Sequence, residues 1–190
     1  MRFTFRFCPK CGTALEERMV HGHVTPVCTG PTCGYIFWQN SKPCATLVLE
    51  NDAGEILLCV RAIEPDKGKL DLPGGFLNFA EHPFDGARRE CREELGVDIE
   101  IDCVLGFCVD YYGTSEVSTL VIAMLGRIAN GTPVPADDVA ALRWLKPQSI
   151  DISELAFTNN ETIIFELYAK RKKQTGGLDA APMHWPMGGT

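Results

Sequence analysis

Four glutamates, Glu81, Glu90, Glu93 and Glu94, stand among three arginines, Arg88, Arg89 and Arg92, in the stretch 74–97, GGFLNFAEHPFDGARRECREELGV. Like charges three or four residues apart on one helix repel each other. The chain already carries a net charge of -7, from 18 Lys and Arg against 25 Asp and Glu. A divalent cation among the carboxylates would turn this repulsion into a binding site. Hard oxygen ligands suit Mg²⁺ or Mn²⁺ rather than zinc, and Mg²⁺ leaves its remaining positions to water and substrate phosphate. The bland alternative is a solvated acidic face, the usual meaning of a charge run.

A second constellation lies near the start. Cys8 and Cys11 in FCPKCG and Cys28 and Cys33 in VCTGPTCGY form two close pairs, sixteen residues apart. Two pairs of thiolates on tight turns can surround one tetrahedral Zn²⁺, and the stretch between them is long enough for a short hairpin. The first pair is the stronger signal. The second has four intervening residues, which Gly30, Pro31 and Gly34 give the turn chemistry to close. The alternative is that these are ordinary reduced thiols. His21 and His23 are read as surface or packing residues, because four cysteines already fill a structural site.

Elements must hold both groups. Pro83 can open a helix that runs to about Leu95, where Gly96 supplies the stop. At about 100° per residue, Glu90, Glu93 and Glu94 share one arc while Phe84, Cys91 and Leu95 cluster roughly 120° away. One face packs and the other presents carboxylates, with Gly86 and Ala87 leaving room on the carboxylate side. Before the helix, ATLVLE and EILLCVRA flank NDAG as a hairpin by composition, their apolar runs implying burial on both faces. The segment IEPDKGKLDLPGG is a loop leading into a short strand. After the helix, VLGFCVDYY and STLVIAMLGRI form a hairpin around GTSE, and AALRWLK is a last strand. The final helix, ETIIFELYAKRKK, has an apolar stripe of Ile163, Ile164, Leu167 and Tyr168. The organisation expected is a zinc ribbon over 1–42, a catalytic domain over 43–173 and a Gly/Pro-rich, disordered tail over 174–190.

From Gly75 the residues run Gly, five others, Glu81, seven others, Arg89-Glu90, Cys91, Arg92, Glu93-Glu94, Leu95, Gly96, Val97. This resembles the Nudix box, G(x5)E(x7)REUxEExGU, at every fixed position. Cys91 fills a U position that is usually aliphatic, and a buried cysteine behaves as a small hydrophobe. The lead-in GKLDLPGGF also resembles the family, and the likeness extends over about 45–170. The ribbon in front resembles a subgroup that includes NADH pyrophosphatases.

The resemblance implies an α/β fold, an α/β/α sandwich with a mixed sheet, and hydrolysis of a nucleoside diphosphate linked to another moiety. It implies that Glu90, Glu93 and Glu94 bind Mg²⁺ or Mn²⁺, with the Gly75 carbonyl as a further ligand, and that Glu81 and Arg89 pair to orient the loop against the helix. Gly74, Gly75, Arg61 and Tyr111 are the expected substrate contacts. Tyr111, Tyr112 and Phe76 are candidates to stack on a base, although aromatic residues beside strands are usually core. The general base stays open among Glu90, Glu116, Asp137 and Asp138, and the two aspartates also read as turn residues after Pro135. A Ser-Gln-Pro-Trp-Pro stretch marks the NADH branch and is absent, so NADH and NAD-capped RNA are not carried over as the expected substrate, and ADP-ribose, another dinucleotide or a nucleotide sugar remain open.

Composition sets the remaining bounds. An apolar fraction of 45% and a charged fraction of 23% are those of a soluble globular protein. No apolar run spans a membrane, and the opening lacks a signal peptide's apolar core, so a cytoplasmic protein with reduced thiols is expected. The acidic balance makes nucleic acid an unlikely partner. In the ribbon, five Lys or Arg against two Glu are largely cancelled by zinc-bound thiolates. Because ribbons also serve as dimerisation modules, a homodimer is expected. The reading from a different class is a non-catalytic nucleotide sensor or RNA-associated adaptor.

Overall fold

The structure is a computed structural model in which residues 5–113, 115 and 117–174 are described. Glu116 and the tail from 175 onward lie outside the described residues. The chain divides into two compact units, 1–41 and 42–190.

The first unit is a hairpin of β1 (Leu15–Val20) and β2 (His23–Cys28), in antiparallel register from Leu15 opposite Cys28 to Val20 opposite His23. His21 and Gly22 make the two-residue turn with φ of 47° and 82°, the double positive φ that matches the twist of the strands.

The second unit holds two sheets. In the larger, the order is β6 (Gly74–Phe76), β3 (Lys42–Leu49), β8 (Ser118–Asn130), β7 (Asp98–Tyr111). β3 runs parallel to β8, and the outer pairs are antiparallel, so the sheet is mixed. The smaller sheet is antiparallel, with β4 (Ile56–Arg61) between β5 (Leu70–Asp71) and β9 (Val139–Leu145). The β7–β8 hairpin forms, with β7 starting at Asp98, six residues ahead of VLGFCVDYY, and β9 lies where its sequence places it.

The expected hairpin of β3 with β4 does not form. The turn between them closes, with Asn51 Oδ1 accepting from the Ala53 and Glu55 amides at 3.0 Å. Beyond one bridge between Glu50 and Ile56, however, the strands enter different sheets. Turn chemistry fixes a reversal and leaves the choice of partner to packing.

Burial on both faces of β3 and β4 is realised as two cores. Val48, Ile56 and Leu58 pack with Val121, Ile163, Ile164 and Tyr168, whereas Leu47, Leu49, Leu57 and Cys59 pack with Phe84, Ala87, Cys91 and Leu95. Period-two alternation therefore sends successive side chains to different helices. The helix of the second core is α1 (Pro83–Leu95), with Pro83 in its first turn, His82 Nδ1 accepting from the Phe84 amide, and Gly96 closing it at φ 67°. The first core is covered by α2 (Thr158–Glu161), a π-helical stretch Thr162–Tyr168 and α3 (Ala169–Gln174). This last helix starts earlier than its sequence stripe. The wider π turn brings Ile163 and Tyr168, five apart, into one core.

Candidate functional site

The acidic residues converge because β6, the loop after it and α1 meet at one arginine. Arg89 Nε and Nη2 donate to Glu81 Oε1 and Oε2 at 2.8 and 2.9 Å, and Nη2 also donates to the Phe76 carbonyl at 3.1 Å. Arg89 Nη1 donates to Glu90 Oε1 and to Glu93 Oε2, each at 2.8 Å. One planar guanidinium thus fixes three carboxylates and the backbone of β6. Glu81 also accepts from the Asn78 amide at 2.8 Å, and its bonds to Arg89 hold its pKa down at about 2.

The three helix carboxylates do not share one environment. Glu90 and Glu94 are buried, at 9% and 7% exposure, whereas the Glu93 side chain is 49% exposed. Among the described residues, Glu94 has no cationic partner. Its Oε2 accepts from the Gly74 amide at 3.1 Å. Burial pushes its pKa up to about 9, helped by the negative charges of Asp138, Glu90 and Asp71. Burial likewise raises Glu90, opposed by Arg89.

Two glycines make this approach possible. A Cβ on Gly75 would stand 2.5 Å from Glu90 Oε1, and one on Gly74, where φ is 139°, would stand 2.1 Å from the Ala45 carbonyl oxygen. Gly86 plays another part than the one expected. The space beside it is filled by Leu77 Cδ2, 2.3 Å from a Cβ built there, and by Glu81, while Ala87 lies in the core. The room on this side of α1 seats the loop.

A cavity of about 380 Å³ is lined by Gly74, Gly75, Arg89, Glu90, Glu93 and Glu94. Arg61, Tyr111, Asp137 and Asp138 line it as well. Arg61, an expected substrate contact, is buried at the end of β4. It is 8% exposed, with Nη1 donating to Asp71 Oδ2 at 2.7 Å, Nε donating to the Pro65 carbonyl at 2.8 Å, and its guanidinium 4.9 Å from the centre of the Phe157 ring. Asp71 in turn accepts from Asn160 Nδ2 at 2.9 Å. Burial raises the Asp71 pKa, opposed by Asn160 and Arg61. The aromatic candidates sit on the same wall rather than in the core. Phe76 meets Tyr112 edge-on at 5.5 Å, and Tyr112 stacks on Phe157 at 5.7 Å. Sequence reasoning missed Asp71, although it lies in the lead-in GKLDLPGGF, and missed Phe157 and Asn160, which carry no local motif.

In the first unit, the sulfurs of Cys8, Cys11, Cys28 and Cys33 all lie within 4.8 Å of one another, and none is in a disulfide. Cys8 Sγ is 3.8 Å from Cys33 Sγ, and Cys11 Sγ is 3.4 Å from Cys28 Sγ. Zinc–sulfur bonds of about 2.3 Å place tetrahedral sulfurs about 3.8 Å apart, so the four thiols fit such an ion.

A NUDIX domain model matches residues 40–167. The chain is similar to NAD-capped RNA hydrolase ndx-9 of Caenorhabditis elegans, at 27% identity over 142 residues, 74% of this chain and 36% of that protein. It is similar to NAD-capped RNA hydrolase NudC of Vibrio atlanticus (strain LGP32), at 26% identity over 154 residues, 79% of this chain and 52% of that protein. The chain therefore spans about a third to a half of the length of these two relatives. Among solved structures, a NUDIX hydrolase from Nitrosomonas europaea matches with a TM-score of 0.72 at 27% identity, over 93% of this chain and 96% of that one.

Proposed function

The chain belongs to the NUDIX family, and from that premise we propose that it is a Mg²⁺- or Mn²⁺-dependent hydrolase of a nucleoside diphosphate linked to a second moiety. The observation that carries this reading is the pair of buried carboxylates, Glu90 and Glu94, on the cavity wall beside Glu93. Buried carboxylates without full cationic pairing are costly. Their hard oxygens fit a divalent ion of the Mg²⁺ type.

Glu90, Glu93, Glu94 and the Gly75 carbonyl would hold that ion. When bound, it offsets phosphate charge, polarises the phosphorus centre and lowers the pKa of a coordinated water. The chain's own residues do the positioning. Arg89 sets Glu90 and Glu93 at fixed separation, Glu81 keeps Arg89 in place, and Gly74 orients Glu94. Asp138 is the base we assign, because it lines the cavity whereas Glu90 is committed to Arg89 and to the ion. Asp137, at φ 52°, is the turn residue that presents it. Phe76, Tyr111 and Tyr112 form the wall on which a base would stack.

That two relatives are named NAD-capped RNA hydrolases supports a dinucleotide with a central pyrophosphate ahead of nucleotide sugars as the substrate. In the first unit, Cys8, Cys11, Cys28 and Cys33 would hold a structural Zn²⁺. The test is incubation of the purified protein with NADH, NAD-capped RNA, ADP-ribose, diadenosine polyphosphates and a nucleotide sugar, with and without Mg²⁺. Mg²⁺-dependent release of a nucleoside monophosphate is expected. Binding without turnover of any of them would replace the enzyme with a sensor.

A further inference from the structure

Arg61 and Asn159, both on the wall of the catalytic cavity, each hold one unused polar atom. Arg61 spends Nε on the Pro65 carbonyl and Nη1 on Asp71 Oδ2. Its third nitrogen, Nη2, is buried and has no hydrogen-bond partner among the described residues. Asn159 stands in the first turn of α2, where its amide donates to Asp110 Oδ2 at 2.9 Å. Its side-chain Oδ1 is likewise buried and unpaired. Nearly all buried polar groups in folded proteins are paired, because an unpaired one forfeits its hydration without return. One donor and one acceptor, both unspent, therefore belong to the same cavity wall.

The two residues are held in one frame. Asp71 grips Arg61 through Oδ2 and accepts from Asn160 Nδ2 through Oδ1 at 2.9 Å. The neighbour of Asn159 is thus bonded to the carboxylate that fixes Arg61, and the Arg61 guanidinium lies 4.9 Å from the centre of the Phe157 ring, two residues before Asn159. Charge narrows what they can read. Arg61 already faces a carboxylate and has used two of its three nitrogens, whereas a phosphate or carboxylate ligand takes both arms of the fork. The nitrogen left over suits a neutral acceptor. Tyr112 is the side chain beside it. Burial would lower the Arg61 pKa, and Asp71 and the Tyr112 hydroxyl raise it. That hydroxyl nevertheless makes no hydrogen bond to Nη2, and the ring rests against Phe76 and Phe157.

We infer that Arg61 Nη2 and Asn159 Oδ1 together read one neutral edge of the dinucleotide proposed as substrate, an acceptor beside an amino donor, admitted as the Tyr112 ring turns aside. Two parts of such a dinucleotide carry that edge. Adenine presents N1 beside its 6-amino group, and the nicotinamide carboxamide presents its oxygen beside its amino group. In either case Phe157 offers an aromatic face next to the edge being read.

Calorimetric binding to the full chain, with Ca²⁺ replacing Mg²⁺ to slow turnover, tests this with NADH and two analogues. Deamino-NADH carries hypoxanthine, whose N1–H and carbonyl exchange the places of donor and acceptor. The reduced 3-acetylpyridine analogue has a methyl where the carboxamide has its amino group. One of the two is expected to bind at least about tenfold more weakly than NADH, the first if adenine is read and the second if the carboxamide is. Asn159→Leu removes the acceptor without breaking a side-chain hydrogen bond among the described residues, and is expected to bind NADH about as weakly as the parent binds the poorer analogue. Arg61 is left in place, because its loss would strand the buried Asp71 charge. Equal affinity of the parent for all three ligands overturns the inference. So does binding of none, or a preference that Asn159→Leu keeps. Mg²⁺-dependent cleavage of all three at equal rates would end the inference and leave the hydrolase standing, whereas selective binding without cleavage would do the reverse.

Discussion

Arg89 and Glu81 face each other through two hydrogen bonds, Nε to Oε1 at 2.8 Å and Nη2 to Oε2 at 2.9 Å. The same guanidinium reaches Glu90 and Glu93 with its remaining nitrogen. A fork of this shape cannot be replaced by a point charge. Arg89→Lys is therefore expected to keep the fold, with a circular dichroism spectrum like that of the parent. Its kcat should fall on the order of a hundredfold, the cost of misplacing a catalytic group by about 1 Å. A steady-state assay with Mg²⁺ in excess checks this. An unchanged kcat would mean that the carboxylates hold their positions without Arg89.

Glu94 makes the stability of the metal-free protein depend on pH. Its folded pKa of about 9 stands above the ordinary value of 4.5 because burial penalises the charged form. Between those values the folded state keeps a proton that the unfolded state has lost, so stability falls as pH rises. The raised pKa values of Glu90 and Asp71 act in the same direction. In EDTA, the melting temperature is expected to decline steadily from about pH 5 to about pH 9. Glu94→Gln should flatten the decline and Mg²⁺ should oppose it, because the ion favours the carboxylate. A rising melting temperature in EDTA over that range would contradict the burial argument.

How much of this was legible in sequence differs from residue to residue. α1 could be read end to end because its signals are local: Pro83 at the start, Gly96 at the stop and an apolar arc between them. The difference between Glu93 and Glu94 could not. Both lie in the acidic arc, and only the arrival of β6 buries one and leaves the other in water. The pairing of β3 with β8, rather than with β4, was hidden for a related reason. NDAG specifies a reversal, whereas the partner is chosen by two cores assembled from distant segments. The Asp71–Asn160 bond joins residues 89 apart and leaves no pattern in the chain. Gly86 was read as space for ions because its lack of a side chain was visible while Leu77, which fills the space, was not.

The cysteine cluster carries its own prediction. About one zinc per chain is expected by atomic emission analysis, with Cys11→Ser or a strong chelator releasing it. Loss of the ion should remove the amide protection of β1 and β2 while the cores around Leu47 and Val48 keep theirs, since among its described residues the first unit has only a two-stranded sheet to hold it. Protection of β1 and β2 that survives removal of every metal would show that the thiols pack without an ion.

The proposed hydrolysis requires Glu94 as a ligand for the activating ion. The most direct test is the initial rate of pyrophosphate cleavage by the parent and by Glu94→Gln across a Mg²⁺ titration, with EDTA as the zero point. The parent is expected to be silent in EDTA and to saturate with Mg²⁺. The variant, near in shape but lacking the charge, is expected to lose at least about a hundredfold in kcat, some 2.7 kcal/mol of transition-state stabilisation. Equal rates for the two proteins, or cleavage that continues in EDTA, would contradict it.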